Sequence, residues 1–319
     1  MKKSKDMLKN VKRLGYFIGT MVFFIFAAPV CSQSFEIKRV SERNFVHFGV
    51  NDERSTRNLG DNANIGFIIG DKCVLVVDAG GSFKIGVKLR EAIISVTDKP
   101  ICYVVITHAH PDHFFGASAF LKDRPKFIGH EGLYSRLKSR QQFYKKSLFE
   151  DLGKLAEGSD IIKPELIIKA GDTLSLFLGS MHEILIKAWR PAHTDHDLSV
   201  FDKKEGVFWT GDLLFVGHIP ILDSNIKSFI SVLEELYKMP IELFIPGHGV
   251  PKINWLEAIK KQKNYFHILL EQTRNAIRSG TRLMDGVHSI GWSEKNKWIN
   301  FENFHRRNVT TAWTELEWE

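Results

Sequence analysis

Thr107-His108-Ala109-His110-Pro111-Asp112-His113 is the stretch on which the reading of this chain turns. Three imidazoles and one carboxylate fall within six residues, directly after the apolar run Ile101 to Ile106. In extended geometry His108 and His110 project to the same side, because strand side chains alternate with period two. Pro111 then turns the chain, so that Asp112 and His113 address a neighbouring point. Two metal ions a few ångströms apart suit this arrangement, and imidazole nitrogen with carboxylate oxygen is a donor set that Zn²⁺ favours. The competing reading is a polar surface loop that happens to be rich in histidine. The strand before it and the density of donors weigh against that.

Outward from this loop the pattern is that of alternating strands and helices. Upstream, residues 35–50 and 62–70 read as antiparallel strands, and Cys73 to Val77 is a continuous apolar run ending at Asp78-Ala-Gly-Gly81. Residues 83–95 carry apolar positions at helical spacing and Pro100 stops them, giving a strand–helix–strand unit with parallel strands buried on both faces. Downstream, helices are expected over 116–121 and 131–158, then short strands over 165–169, 173–178, 183–189, 198–202 and 206–210. A helix over 226–238, a strand over 242–245, a long helix over 254–279 and shorter helical pieces complete the chain. Strands followed by helices, twice over, suit four layers with helices outside two facing mixed sheets. Pattern alone leaves α/β and α+β both open. With no repeat, low-complexity tract or Pro/Ser-rich linker, one domain with a helical C-terminal addition is expected.

The 319 residues are 44% hydrophobic and 25% charged, an ordinary globular composition. The net charge of +7 is concentrated: residues 1–32 carry +5 and the remainder only +2, which gives no reason to expect a nucleic-acid partner. Residues 1–32 read as a secretory signal, with a basic segment ending at Arg13, an apolar run from Leu14 to Val30, and Val30 and Ser32 placed for cleavage before Gln33. An uncleaved membrane anchor is the alternative. Export would make the mature protein periplasmic or secreted. Cys73 and Cys102 both lie in strand-like runs and read as two buried thiols, although an oxidising compartment would permit a disulfide.

The His-x-His-x-Asp-His loop after a strand resembles the metallo-β-lactamase superfamily, and so do three later words in the expected order: Ala192-His193-Thr194, Thr210-Gly211-Asp212 and Pro246-Gly247-His248-Gly249. The resemblance implies an α+β, αββα four-layer fold over about residues 33–253, with residues 254–319 as a helical extension packed on the same domain. Carried over position by position, it implies one zinc ion held by His108, His110 and His193, a second held by Asp112, His113 and His248, and Asp212 bridging both. Asp112 and Asp212 are then the carboxylates closest to the chemistry. Asp78 matches an upstream aspartate that supports the metal loop by hydrogen bonds. His193 has competitors in Asp195, His196 and Asp197, and only the order of motifs favours it. Two Zn²⁺ per chain would activate a shared water against a carbonyl: a thioester, lactam, lactone or other ester.

The surrounding words resemble a narrower family, the quinoprotein relay system zinc metallohydrolases: His113-Phe-Phe-Gly-Ala-Ser-Ala-Phe120, Asp212-Leu-Leu-Phe-Val-Gly-His218-Ile-Pro-Ile-Leu-Asp223 and the tail Arg307 to Glu319. That resemblance implies an exported protein associated with a pyrroloquinoline-quinone dehydrogenase system. His218 and Asp223 are candidates to line the substrate cleft, or to make structural hydrogen bonds within their loop. His130 is expected to play a supporting part. A mononuclear iron persulfide dioxygenase-like enzyme and a non-catalytic metal-holding partner of a quinoprotein system are the alternatives.

Overall fold

A computed structural model of the chain describes residues 35–319. The expected signal segment, residues 1–32, lies outside the described residues. Among those described, no helix is long and apolar enough to cross a membrane.

Two sheets face each other. The first contains β1 (Lys38–Arg39), β2 (Asn44–His47), β3 (Ile65–Ile69), β4 (Val74–Val77), β5 (Ile101–Val105), β6 (Lys126–His130) and β7 (Leu166–Ile168), in that spatial order. β1 to β4 pair antiparallel and β4 to β7 parallel. The second contains β8 (Thr173–Phe177), β9 (Glu183–Ala188), β10 (Leu198–Asp202), β11 (Val207–Phe215) and β12 (Leu243–His248), antiparallel except for the last pair.

Side-chain alternation builds the layers. In β4, Leu75 and Val77 point into the space between the sheets, where they meet Val105, Ile184, Ile186, Val200 and Trp209. Val74 and Val76 point the other way, toward α1 (Phe83–Val96) and, beyond the short α2 (Pro111–Phe114), α3 (Leu133–Leu152). A third core lies on the far face of the second sheet, where Phe208 and Phe244 pack under α4 (Ile226–Tyr237), α5 (Trp255–Arg278) and, past the single turn α6 (Leu283–Gly286), α7 (Phe301–Leu316). The α+β, αββα four-layer fold follows. The C-terminal helices share this core with β11 and α4.

Four expected elements differ in detail. The turn after His113 is not α-helical but a 3-10 helix over Phe115–Asp123. It passes so close to α1 and to the end of β4 that a Cβ on Gly116 would lie 1.9 Å from the Ala79 carbonyl oxygen. The helix expected over 131–158 ends at Leu152, where Gly153 takes a φ of 55°. β11 and β12 run on past the residues expected, to Phe215 and His248, which places Asp212 inside a strand and His248 at a strand end. Cys73 and Cys102 are free thiols.

Candidate metal centre

Both sheets deliver side chains to one point. The loop 107–113 leaves the end of β5, His193 lies between β9 and β10, Asp212 lies within β11, and His248 closes β12. The donor atoms of His108, His110, His193 and Asp212 lie within 4.8 Å of one another, and those of Asp112, His113 and His248 form a second such group. Asp212 joins them. Its Oδ1 is 3.2 Å from His113 Nε2, and its Oδ2 is 3.3 Å from His193 Nε2, 3.4 Å from His248 Nε2 and 3.6 Å from His108 Nε2. Asp112 Oδ2 is 3.4 Å from His248 Nε2.

Each imidazole turns its outer nitrogen to a hydrogen-bond partner, and the tautomers follow from those partners. His110 donates through Nε2 to Asp223 Oδ2 at 2.8 Å, and His113 donates through Nδ1 to Asp78 Oδ2 at 2.8 Å. His193 Nδ1 donates to the Ile221 carbonyl at 2.9 Å and His248 Nδ1 to the Asn62 carbonyl at 3.0 Å. His108 Nδ1 faces the Thr107 hydroxyl at 3.0 Å, and that hydroxyl donates to Asp78. Five ring nitrogens thereby face inward. His193 Nε2 lies only 2.9 Å from His110 Nδ1 and 3.2 Å from His108 Nε2. Lone pairs this close repel unless a cation lies between them. Both Asp212 oxygens and His113 Nε2 are buried without a hydrogen-bond partner. Each such group costs about 1–3 kcal/mol if left unpaired. Metal ions satisfy all of these atoms at once, so the residues fit the group that the donor chemistry implies.

Nearby carboxylates divide the buried imidazoles. Burial holds His193 down at about 4, and with the charge of His113 it holds His108 well below the usual imidazole value. For His113 and His248 burial acts in the same direction, but Asp212 and the neighbouring carboxylates overcome it and raise both.

The supports are specific. Asp78 accepts from Thr107 N and Thr107 Oγ1, both at 2.8 Å, as well as from His113, and it does so from a left-handed backbone with φ 55°. Gly247 makes room for Asp212, since a Cβ there would lie 1.9 Å from its Oδ1. Asn64 ties down the His248 turn by donating to the carbonyls of Pro246 and Gly249 at 2.8 and 2.7 Å. His196 lies outside the cluster: its Nε2 accepts from Ala109 N at 3.1 Å, between the two loop histidines. Asn62, Asn64 and the carbonyl of Ile221 carried no signal in the sequence, since their roles depend on where β3 and the 218–223 loop come to rest.

Asp223 is engaged by His110 and Arg307 and also lines the cleft, so it is not a free group awaiting a ligand. His218 donates through Nδ1 to the Ile219 carbonyl at 2.7 Å, as its structural reading expected, and its ring lines the cleft beside His248. Burial, reinforced by His248, lowers His218 to about 4. His130 accepts from Gly132 N at 3.0 Å, away from the cluster. The cleft over the cluster has a volume of about 740 Å³ and is walled by loop 50–54, α3 and α7.

The sequence model of the metallo-beta-lactamase superfamily matches residues 59–265, and the chain belongs to that superfamily. Comparison with curated proteins returned no match. The fold is similar to the stereoselective inverting sec-alkylsulfatase Pisa1 from Pseudomonas sp., with a TM-score of 0.68 and 14% identity over 87% of this chain and 49% of that one. This chain thus spans about half the length of that sulfatase. It is also similar to a metallo-beta-lactamase from Pontibacter korlensis (TM-score 0.57, 14% identity, 73% of this chain and 99% of that one) and to metallo-beta-lactamase IND-7 (TM-score 0.55, 20% identity, 72% and 97%).

Proposed function

We propose that the protein is a hydrolase that works with two zinc ions, one held by His108, His110 and His193, the other by Asp112, His113 and His248, with Asp212 shared. The observation that carries this reading is the convergence of five inward-facing ring nitrogens on the two unpartnered oxygens of Asp212, at the floor of an open cleft. Nitrogen and oxygen donors without thiolate suit zinc, and the opening to the cleft suits catalysis better than a closed structural site. Zinc bound there lowers the pKa of water from about 15.7 to near 7 and polarises the bond to be cleaved.

The chain's own residues supply the rest. Without metal, burial would raise Asp112, but His113 and His248 hold it below the usual carboxylate value; as a carboxylate beside the cleft it is placed to orient a water. Neutral His218 presents Nε2 as an acceptor on the wall, and Phe304 and Tyr144 exclude solvent around a bound substrate. The bond cleaved is a carbonyl one: a thioester, lactone, lactam or other ester. The test combines metal analysis of the purified protein with turnover of a thioester, lactone, β-lactam and secondary alkyl sulfate panel. Two zinc ions per chain and chelator-sensitive turnover of a carbonyl substrate are expected. One iron per chain, or turnover of the sulfate alone, overturns the reading.

The same reading includes export, from the basic and apolar make-up of residues 1–32, and a setting beside a quinoprotein dehydrogenase, from the resemblance of loop 212–223 and tail 307–319. Periplasmic protein whose first residue is Gln33 is the expected finding.

A further inference from the structure

Two helices on opposite sides of the cleft turn stripes of polar side chains toward each other. On α3, Arg136, Arg140 and Tyr144 follow at intervals of four and share a face. On α7, Arg307 and Thr311 are also four apart. Between the helices lies a polar side cavity of about 220 Å³ that shares His110, Arg140, Tyr144, Asp223 and Arg307 with the main cleft. It is therefore a branch of the cleft that starts at the metal cluster and passes His110. Arg136 is paired with Asp195 and Arg307 with Asp223. Arg140, where cleft and branch meet, pairs with no carboxylate among the described residues. Two arginines one turn apart repel and weaken the helix that carries them. Exposed along the mouth of a polar branch that also reaches the metal cluster, they are placed to bind an anion from outside the chain.

We propose that this branch receives an oxyanion of the substrate, a carboxylate or sulfate remote from the bond cleaved, with Arg140 as the group that selects it. This rests on the hydrolase reading and narrows its substrate class to anionic molecules. A guanidinium suits the task because its fork meets two oxygens at once and cannot lose its charge. The 740 Å³ cleft holds the body of the substrate, and the branch takes the charged end. Arg307 completes the branch from α7, which lies beyond residues 59–265, the part matched to the superfamily. Selectivity at this branch is thus a contribution of the C-terminal helices to a cluster held by the shared fold.

The test uses zinc-loaded protein and two pairs of 4-nitrophenyl-type esters matched in length, each with one member ending in methyl and the other in carboxylate. The carboxylate sits on the acyl side in one pair and on the leaving group in the other. In one of the pairs the carboxylated member is expected to have about tenfold higher kcat/KM, mainly through KM, as fits the loss of one hydrogen bond to a charged group. Arg140→Gln brings that ratio close to one, whereas Lys138→Gln, on the exposed face of α3, preserves it. No preference in either pair, or a preference that survives Arg140→Gln, overturns the proposal. Sulfate binding by calorimetry gives a readout without turnover and is expected to weaken roughly tenfold in Arg140→Gln; unchanged binding overturns the proposal. If none of the esters is cleaved, turnover of the thioester, lactone and β-lactam panel decides the hydrolase reading, and the sulfate titration decides the anion site.

Discussion

The two sources of the metal cluster are built in opposite ways. His108, His110, Asp112 and His113 come from one loop, and Asp78 is its principal anchor: it holds Thr107 twice and His113 once. His193, Asp212 and His248 come from three separate places in the second sheet and are set by backbone carbonyls, by a missing side chain at Gly247 and by the Asn64 amide. Four donors on six consecutive residues keep their mutual geometry wherever the loop is placed. Three donors spread over 56 positions keep theirs only if β9, β11 and β12 stay in register.

The sharpest break falls where the two sources join. Asp212→Ala removes the carboxylate that faces both donor groups, so metal content per chain and turnover are expected to fall together. The loss of turnover should be on the order of 1000-fold, the equivalent of several kcal/mol of transition-state stabilisation. Elemental analysis beside the turnover assay checks this, and a variant that keeps its metal content and its activity would contradict the bridging role proposed for Asp212.

Next come the anchors. Asp78→Ala and Asp223→Ala each remove the partner of one ligand's outer nitrogen, His113 in the first case and His110 in the second. Loss of such a partner typically costs 10–100-fold in metal affinity. Asp78 also holds the backbone of Thr107, so its variant is expected to lose thermal stability as well, whereas Asp223→Ala should lower metal affinity with little change in melting temperature. Competition with a chromophoric chelator and thermal melts separate the two. Equal melting shifts would mean that Asp78 is no more an anchor than Asp223.

The same contrast explains what could be read in advance. The first source was legible because its chemistry and its spacing lie in one word, after a strand that a continuous apolar run already marks. β4, β5 and α1 were legible for the same reason, since each is a local apolar pattern. For the second source the sequence offered only the order of short motifs, and nothing local distinguished His193 from His196. The decision is tertiary: the Ile221 carbonyl receives one ring, and the Ala109 amide donates to the other. Asn64 was invisible because an asparagine at a strand edge has no fixed meaning until β12 arrives beside it. The helix expected over 116–121 is a 3-10 turn over Phe115–Asp123, where crowding at Gly86 and Gly116 constrains its path.

Two further variants test whether the second source needs its glycine and its amide. Gly247→Ala puts a methyl group where the Asp212 carboxylate lies, at a position whose other close neighbour is the Gly211 backbone. Neither can give way without moving β11 against β12, so a loss of turnover of roughly 100-fold is expected, in line with a displacement of about 1 Å at a reacting centre. Asn64→Ala leaves the Pro246 and Gly249 carbonyls and the Gly49 amide, which meets Asn64 Oδ1 at 3.2 Å, without partners. At about 1 kcal/mol for each bond, the cost is about 3 kcal/mol of stability. Because Asn64 touches no donor atom, its variant should melt earlier and still reach full metal content at saturating zinc. A variant that melts normally but fails to load the site held by His248 would instead make Asn64 part of the metal centre, and the second source would then resemble the first in depending on a single side chain.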